Sequence, residues 1–458
     1  MAGIGFKLQK YFYKDDVLEN AKGTVYSVLI SSGPWLISVL TIAFISFYAQ
    51  MNIKVTDLFV LKSMICYTYA ATLIIFGAIE MPITRYIADQ LYKNDNTTFK
   101  SLYFMLVIAS CIFGTLACSV FYSFFPDLSF TIKVTATMFF CSVLIIWISM
   151  MFLTAAKDYH QVVLSFLIGG AISIALCIFV GKSYGLTGYV IGYCLGQYVI
   201  AICLSICVYK EFRGLDYLSF EFLKYFSKCR PLIFAGLFYY LGIWVDKFIF
   251  WHGPEGEKVM SLFYTNRYYD TAMFFAYITI VPSLAIFLVQ VETNFYKYYS
   301  YYFHSIEEKN NLNILNENIE DIIYSIQRTI INLIKIQLSI TLAIWFFTEE
   351  ILEFLYLPSM VTSIFKYGIL GAFLQALFLI CNIILLYFLN ERRVVFHYFL
   401  FFVLNCSLTY LSTLMNFRYH GLGYLISSFI VLLVSLRALN KHVNQLNFFT
   451  FMSQPVER

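Results

Sequence analysis

Apolar runs of membrane-spanning length recur along almost the whole chain, at about 24–49, 59–88, 101–124, 130–155, 161–181, 185–209, 231–252, 268–294, 329–357, 361–389, 394–416 and 420–440. About 20 apolar residues in a helix cross the hydrocarbon core of a bilayer. Lipid offers no partner to unpaired backbone groups, so such runs must be helices or the strands of a closed barrel. None shows the ten-residue alternation of barrel strands. The expected fold class is therefore an all-α integral membrane protein of about twelve transmembrane helices in two six-helix lobes. Composition agrees, since only 13% of the 458 residues are charged, against roughly a quarter in soluble domains. The net charge of +4 is small and no basic run forms a nucleic-acid footprint, so the bilayer is the expected surroundings and nucleic acid is not an expected partner.

Loop charges set the orientation. Lys93, Lys100, Lys157, Lys210, Arg213, Lys224, Lys228, Arg230, Lys297, Arg392, Arg393 and Lys441 fall on the side of the N-terminal Lys7, Lys10 and Lys14, and fewer cations fall on the other. The excess marks the cytoplasmic side, which places both termini inside. No cleavage site clearly follows the first run, so it is expected to remain as a span and the mature chain to start at Met1. The most polar connection, 210–230, separates an N-terminal lobe (1–209) from a C-terminal lobe (231–441), with a cytoplasmic tail at 442–458. A weak internal echo supports duplication: Glu80 precedes Arg85 in EMPITR as Glu292 precedes Lys297 in ETNFYK.

The stretch at about 303–328 is too polar for the bilayer. Ser305 and Glu308 have capping-box spacing, and Leu312, Leu315, Ile319, Ile322, Ile326 and Ile330 recur at helical intervals, which predicts an amphipathic cytoplasmic helix. It either extends the neighbouring spans or docks a partner.

Catalytic signatures are absent and no enzymatic activity is expected. The eleven cysteines are scattered without a CxxC, the six histidines are dispersed and none is read as pairing with another His, Asp or Glu at metal-ligand spacing, and Gly181-Lys182-Ser183 lacks the first glycine of a P-loop, so neither a metal nor a cofactor is expected. Intramembrane charges are more informative. Asp246 and Lys247 lie deep in the seventh run, where an unpartnered charge costs about 2.5–3.5 kcal/mol or more. Neighbours on a helix point about 100° apart, so the two are not expected to pair face-on, and Arg267 and Asp270 are the candidate partners. The charges serve either a structural bridge or a substrate contact. Glu80 with Arg85 and Glu292 with Lys297 read either as snorkelling helix ends or as a cytoplasmic gate. Glu349, Glu350 and Glu353 read as a solvated rim or an acidic mouth, and Gly188, Gly192 and Gly196 as a packing stripe. Trp244, with Tyr239, Tyr240, Trp35 and Tyr26, suits a core or belt position, and such rings also stack on sugars. Gly33 and Pro34 interrupt the first span, because proline removes a donor and leaves carbonyls near Ile30 and Ser31 free, so a kink or an unwound turn is expected.

MAGIGFKLQK at the N-terminus, LISSGPWLIS at 29–38, GLFYYLGIWVDKFIFW at 236–251 and YYDTAMFFAYITIVPSLAIFLVQVETNF at 268–295 together resemble the family of inner-membrane transporters of the Pel exopolysaccharide system. That family is related to the multidrug, oligosaccharidyl-lipid and polysaccharide flippase superfamily. The resemblance implies a two-lobed, V-shaped transporter of the cytoplasmic membrane that alternates between inward and outward openings. It implies export of a polymer of N-acetylated amino sugars for a biofilm matrix, made by a cytoplasmic glycosyltransferase, with membrane-anchored Pel partners including a cyclic di-GMP-responsive one. Gly33, Pro34, Trp244, Asp246, Lys247, Asp270 and Glu292 fall within the matching motifs. The alternatives are a lipid-linked oligosaccharide flippase, a cation-coupled small-molecule antiporter, and a non-conducting scaffold for the glycosyltransferase.

Overall fold

The computed structural model describes residues 17–93, 97–156, 159–212, 220, 222–355 and 357–452. Helices dominate, as the absence of backbone partners in lipid requires. They are α1 (Val17–Gln50), α2 (Val55–Tyr92), α3 (Phe99–Ser123), α4 (Phe130–Ala156), α5 (Tyr159–Glu211), α6 (Phe222–Lys228) and α7 (Arg230–Trp251), then, after a short hairpin of β1 (Glu257–Met260) and β2 (Phe263–Thr265), α8 (Arg267–Ile278) and α9 (Val281–Gln290). A π-helical turn (Val291–Phe295) leads to α10 (Tyr296–Glu307), α11 (Leu312–Phe346), α12 (Thr348–Phe354), α13 (Thr362–Tyr387), α14 (Glu391–Thr413), α15 (Leu422–Asn444) and α16 (Leu446–Met452). Among the described residues, ten helices are long and apolar enough to cross a membrane. One of them, α5, is long enough to cross twice, and α8 and α9 are each too short to be among the ten.

The chain forms two compact units, Gly33–Asn266 and Arg267–Arg458 with the N-terminal residues through Ser32. This packing boundary falls one span after the 210–230 linker, so the six-and-six lobe division stays a proposal.

In the first unit, α5 folds back on itself at Gly185, whose φ of 56° is a left-handed conformation that glycine adopts without strain. The second half of α5 then lies along the first. A Cβ on Gly188, Gly192 or Gly196 would collide with the backbone at Val180 or Cys177, or with the Ser173 hydroxyl. The glycine stripe thus serves close packing, against the span that precedes it. Helix α7 packs on α2 across an equally close crossing, where a Cβ on Gly236 would land on the carbonyl of Gly77. The hairpin is tied to the same helix. The Tyr67 hydroxyl donates to the Tyr264 carbonyl (3.2 Å) and accepts from its N–H (3.0 Å), and the ring stacks on Trp251 at 4.6 Å.

The first span does not unwind at Gly33 and Pro34. Helical backbone runs unbroken from Val17 to Gln50, both residues are buried, and a Cβ on Gly33 would already press on Val163. Proline costs a helix one hydrogen bond, a loss that a continuing apolar helix can absorb when neighbours hold it.

A helix break lies in the second unit, at Thr279–Ile280 between α8 and α9. Pro282 lacks an N–H, and the Ser283 N–H turns to Ile280 instead of the Thr279 carbonyl. Gln337 of α11 fills the gap: its amide donates to the Thr279 carbonyl at 3.0 Å and to the Thr341 hydroxyl at 3.4 Å, while its oxygen accepts from the Ser283 hydroxyl. All four residues are buried. Gln337→Leu therefore strands two or more polar groups, at about 1–3 kcal/mol each. We expect a clear drop in the thermal unfolding midpoint of the purified protein in detergent.

The amphipathic segment differs from its expected bounds. Ser305 lies inside α10 and caps nothing. The chain turns at Lys309, with φ 58°, and Asn311 caps α11 by accepting from the Ile314 N–H at 3.0 Å. From there α11 runs as one helix through the ninth span, so the amphipathic part is its extension. All eleven cysteines are free, six buried and five partly so.

Candidate functional site

Helix α7 carries three of the sequence-derived candidates, Trp244, Asp246 and Lys247. Asp246 is fully buried and Lys247 nearly so. Contrary to the expectation from their 100° separation, the two pair directly: Lys247 Nζ lies 3.2 Å from Asp246 Oδ1 and 3.4 Å from Oδ2. The lysine stem is long and flexible enough to swing its ammonium sideways, and the Ile243 carbonyl accepts from it at 3.0 Å. Nζ also lies 5.6 Å from the centre of the Trp244 ring, a cation–π distance. Trp244 is half-buried and begins an aromatic row with Phe248 and Trp251. Asp246 thus has no exposed surface and meets the Lys247 ammonium directly, a buried pair whose charges must be compensated within the protein.

One helical turn before Trp244, Tyr240 donates its hydroxyl to Glu80 Oε2 at 2.9 Å, which links α7 to α2 beside the Gly77–Gly236 crossing. Arg85, farther along α2, pairs with Asp89 at 3.1 Å, both partly exposed, so this arginine's nearest described carboxylate is its i+4 neighbour. The structure thus joins Glu80, Trp244, Asp246 and Lys247 on one helix pair, and leaves Arg85 beside them as a surface pair.

The remaining candidates belong to the second unit. Arg267 is exposed at the start of α8 and Asp270 is half-buried one turn later. Glu292 falls in the π-helical turn, an irregularity frequent at functional sites, and its side chain lies outside the described residues. Lys297 is exposed, its ammonium 5.7 Å from the Tyr301 ring. Glu349, Glu350 and Glu353 are exposed on α12, as a solvated rim requires. One histidine does meet carboxylates, contrary to the expectation from sequence: His304 lies 3.6 Å from Glu307 and 3.2 Å from Glu308, one turn away at the end of α10, all three exposed. Among the described residues no group of three such side chains is placed to hold a metal ion.

Several polar contacts were missed from sequence. Tyr240 reads there as one of many aromatics; its signal is the Gly236-to-Tyr240 spacing, one helical turn, opposite Gly77 and Glu80. Gln337 looks like an ordinary polar residue at a span's edge, and only Pro282 hints at the gap it fills. Asn382, His397 and Ser435, buried and mutually bonded at 2.7–3.3 Å, come from three separate helices and share no local pattern.

Residues 1–451 match the family described as PelG, an exopolysaccharide exporter (EPS-E). The chain belongs to the PelG family. The PelG fold is that of the MOP superfamily. An outward-facing multidrug resistance MATE family transporter of that superfamily superposes with a TM-score of 0.65 at 13% identity, over 92% of this chain and 96% of the other. An inward-facing one gives 0.62 at 14%, over 93% and 100%. A MOP superfamily transporter from Pyrococcus furiosus gives 0.64 at 12%, over 92% and 96%. No curated protein matches the sequence. The chain is thus a multi-pass membrane protein with a transporter fold, which accords with the absence of catalytic motifs.

Proposed function

We propose that this PelG-family chain exports a Pel-type exopolysaccharide, a polymer of N-acetylated amino sugars, across the cytoplasmic membrane as part of a synthase–transporter complex. The observation that carries the reading is the match to an exopolysaccharide exporter family over residues 1–451. The MOP-type fold supports it, since both outward- and inward-facing relatives superpose on the chain. The positive-inside asymmetry supports cytoplasmic termini. The partners are the cytoplasmic glycosyltransferase that makes the polymer and membrane-anchored Pel proteins, one of them responsive to cyclic di-GMP. Gly33 and Pro34, which fall within the matching motifs, are the proposed hinge positions of α1. Glu80 and Arg85, with Glu292 and Lys297, are the proposed gating positions, and Arg267 and Asp270 remain path candidates.

The test uses inverted membrane vesicles holding the cognate glycosyltransferase complex, with and without this chain, fed labelled UDP-N-acetylhexosamines. Export predicts glycosidase-protected polymer only when the chain is present. Equal protection without it rejects the reading, and synthesis that needs the chain without any protection assigns it a scaffold role.

A further inference from the structure

Two cavities run end to end between α11 and α15 in the second unit. The first, of about 610 Å³, is lined by Asn316, Glu320, Asn444, Gln445, Asn447 and Phe448, with Ile319 as its apolar floor. The second, of about 230 Å³, continues along the same two helices, is lined mainly by apolar residues such as Ile326, Ile330, Leu436 and Leu439 with Gln327 and Asn440 among them, and shares Asn444 with the first. We propose that this groove holds a membrane lipid with an uncharged, hydroxyl-rich sugar headgroup: the headgroup in the amide-lined end and an acyl chain along the apolar end.

The polar end has a fixed wall. Asn447 on α16 donates to Asn316 Oδ1 at 2.9 Å and accepts from the Tyr302 hydroxyl at 2.9 Å, which fastens the short helix across α10 and α11. Leu446 beside it is buried. A carboxamide offers two donors and two acceptor lone pairs. Asn444, exposed at the cavity mouth, uses one donor on Asn440 at 3.0 Å. Gln445 adds a second amide of the same kind at the cavity wall. Alternating donors and acceptors suit hydroxyl groups, each of which is both. The Phe448 ring, 60% exposed, gives an apolar platform for the C–H face of a pyranose.

Charge selects among lipids. The lining contains no lysine or arginine and one carboxylate, Glu320. A phosphate carries only acceptors and is bound by cations or converging N–H groups, so phospholipids and diphosphate-linked carriers are poorly matched. The apolar extension argues against a free sugar, which would leave the second cavity unfilled. The 610 Å³ end lies within the about 300–1,000 Å³ of ordinary ligand sites. This inference does not depend on which polymer the chain exports.

The full chain in phosphatidylcholine nanodiscs containing equal amounts of monoglucosyldiacylglycerol, phosphatidylglycerol and phosphatidylethanolamine tests the proposal by native mass spectrometry of retained lipids. The expected result is about tenfold preference for the glucolipid, the size of one or two net hydrogen bonds. Asn444→Leu with Gln445→Leu should abolish that preference while the melting temperature stays near that of the parent. A photoactivatable glucolipid should label peptides around Ile331 and Leu439. Equal retention of the three lipids, a preference unchanged in the double variant, or labelling confined to other helices would each overturn the assignment.

Discussion

Asp246→Asn destabilises the protein by about 3–5 kcal/mol, because it takes the negative charge from beside a buried ammonium. Lys247→Met has a similar effect for the opposite reason, since Asp246 has no exposed surface on which to be hydrated. The double variant, Asn with Met, recovers most of the loss, because removing both charges removes the desolvation penalty together with the attraction. Unfolding of the purified protein in detergent and the yield of membrane-inserted chain measure all three. Export in the vesicle assay then separates the two roles of the pair. A structural pair predicts that both single variants lose export with their folded protein and that the double variant regains it. A double variant that folds but does not export would assign the pair to the polymer path.

Gly236→Val has the second large effect. Its Cβ would land on the Gly77 carbonyl, which is backbone and cannot swing aside as a side-chain tip can. The two helices must move apart, and overpacking of this kind costs about 3 kcal/mol or more when no flexible group yields. Separation would also stretch the Tyr240–Glu80 hydrogen bond and the Tyr67–Trp251 stack, which lie along the same helix pair. We expect loss of the monodisperse peak in size-exclusion chromatography and a lower melting temperature. Phe234→Ala, on the exposed side of the same helix, serves as the control and should change stability by no more than about 0.5 kcal/mol. A stable Gly236→Val variant would show that the α2–α7 crossing has slack.

The two results bear on one helix pair, and that pair was only half legible in the sequence. Asp246 and Lys247 stood out because charges in an apolar run are rare and costly. Their mutual pairing did not, because a rule about Cβ directions ignores how far a lysine stem reaches. Glu80 was visible as a charge in a span, yet its partner Tyr240 lies 160 positions away among abundant aromatics. Pro34 drew attention as a helix breaker, whereas α1 passes through it and the break lies between two other helices, α8 and α9, next to Pro282. Proline weakens one hydrogen bond in either place; what differs is whether neighbouring groups let the helix continue or fill the gap when it does not. Around Pro34 the helix continues on its own backbone, whereas at the break Gln337 reaches the Thr279 carbonyl from another helix.

The sequence by itself determined that this chain is helical and membrane-embedded, near which residues most of its spans begin and end, and, through four long motifs, to which transporter family it is similar. These properties follow from local composition, since a bilayer rewards continuous apolar length and forces each span to satisfy its own backbone. Only the tertiary structure decided which polar groups meet: Tyr240 with Glu80, Lys247 with its own neighbour, Gln337 with a broken helix, and an amide-lined groove between α11 and α15. Inside a membrane the apolar surfaces of different helices are nearly interchangeable, so packing partners are chosen by small residues and buried hydrogen bonds. Those contacts join positions far apart in the chain, where no local pattern records them.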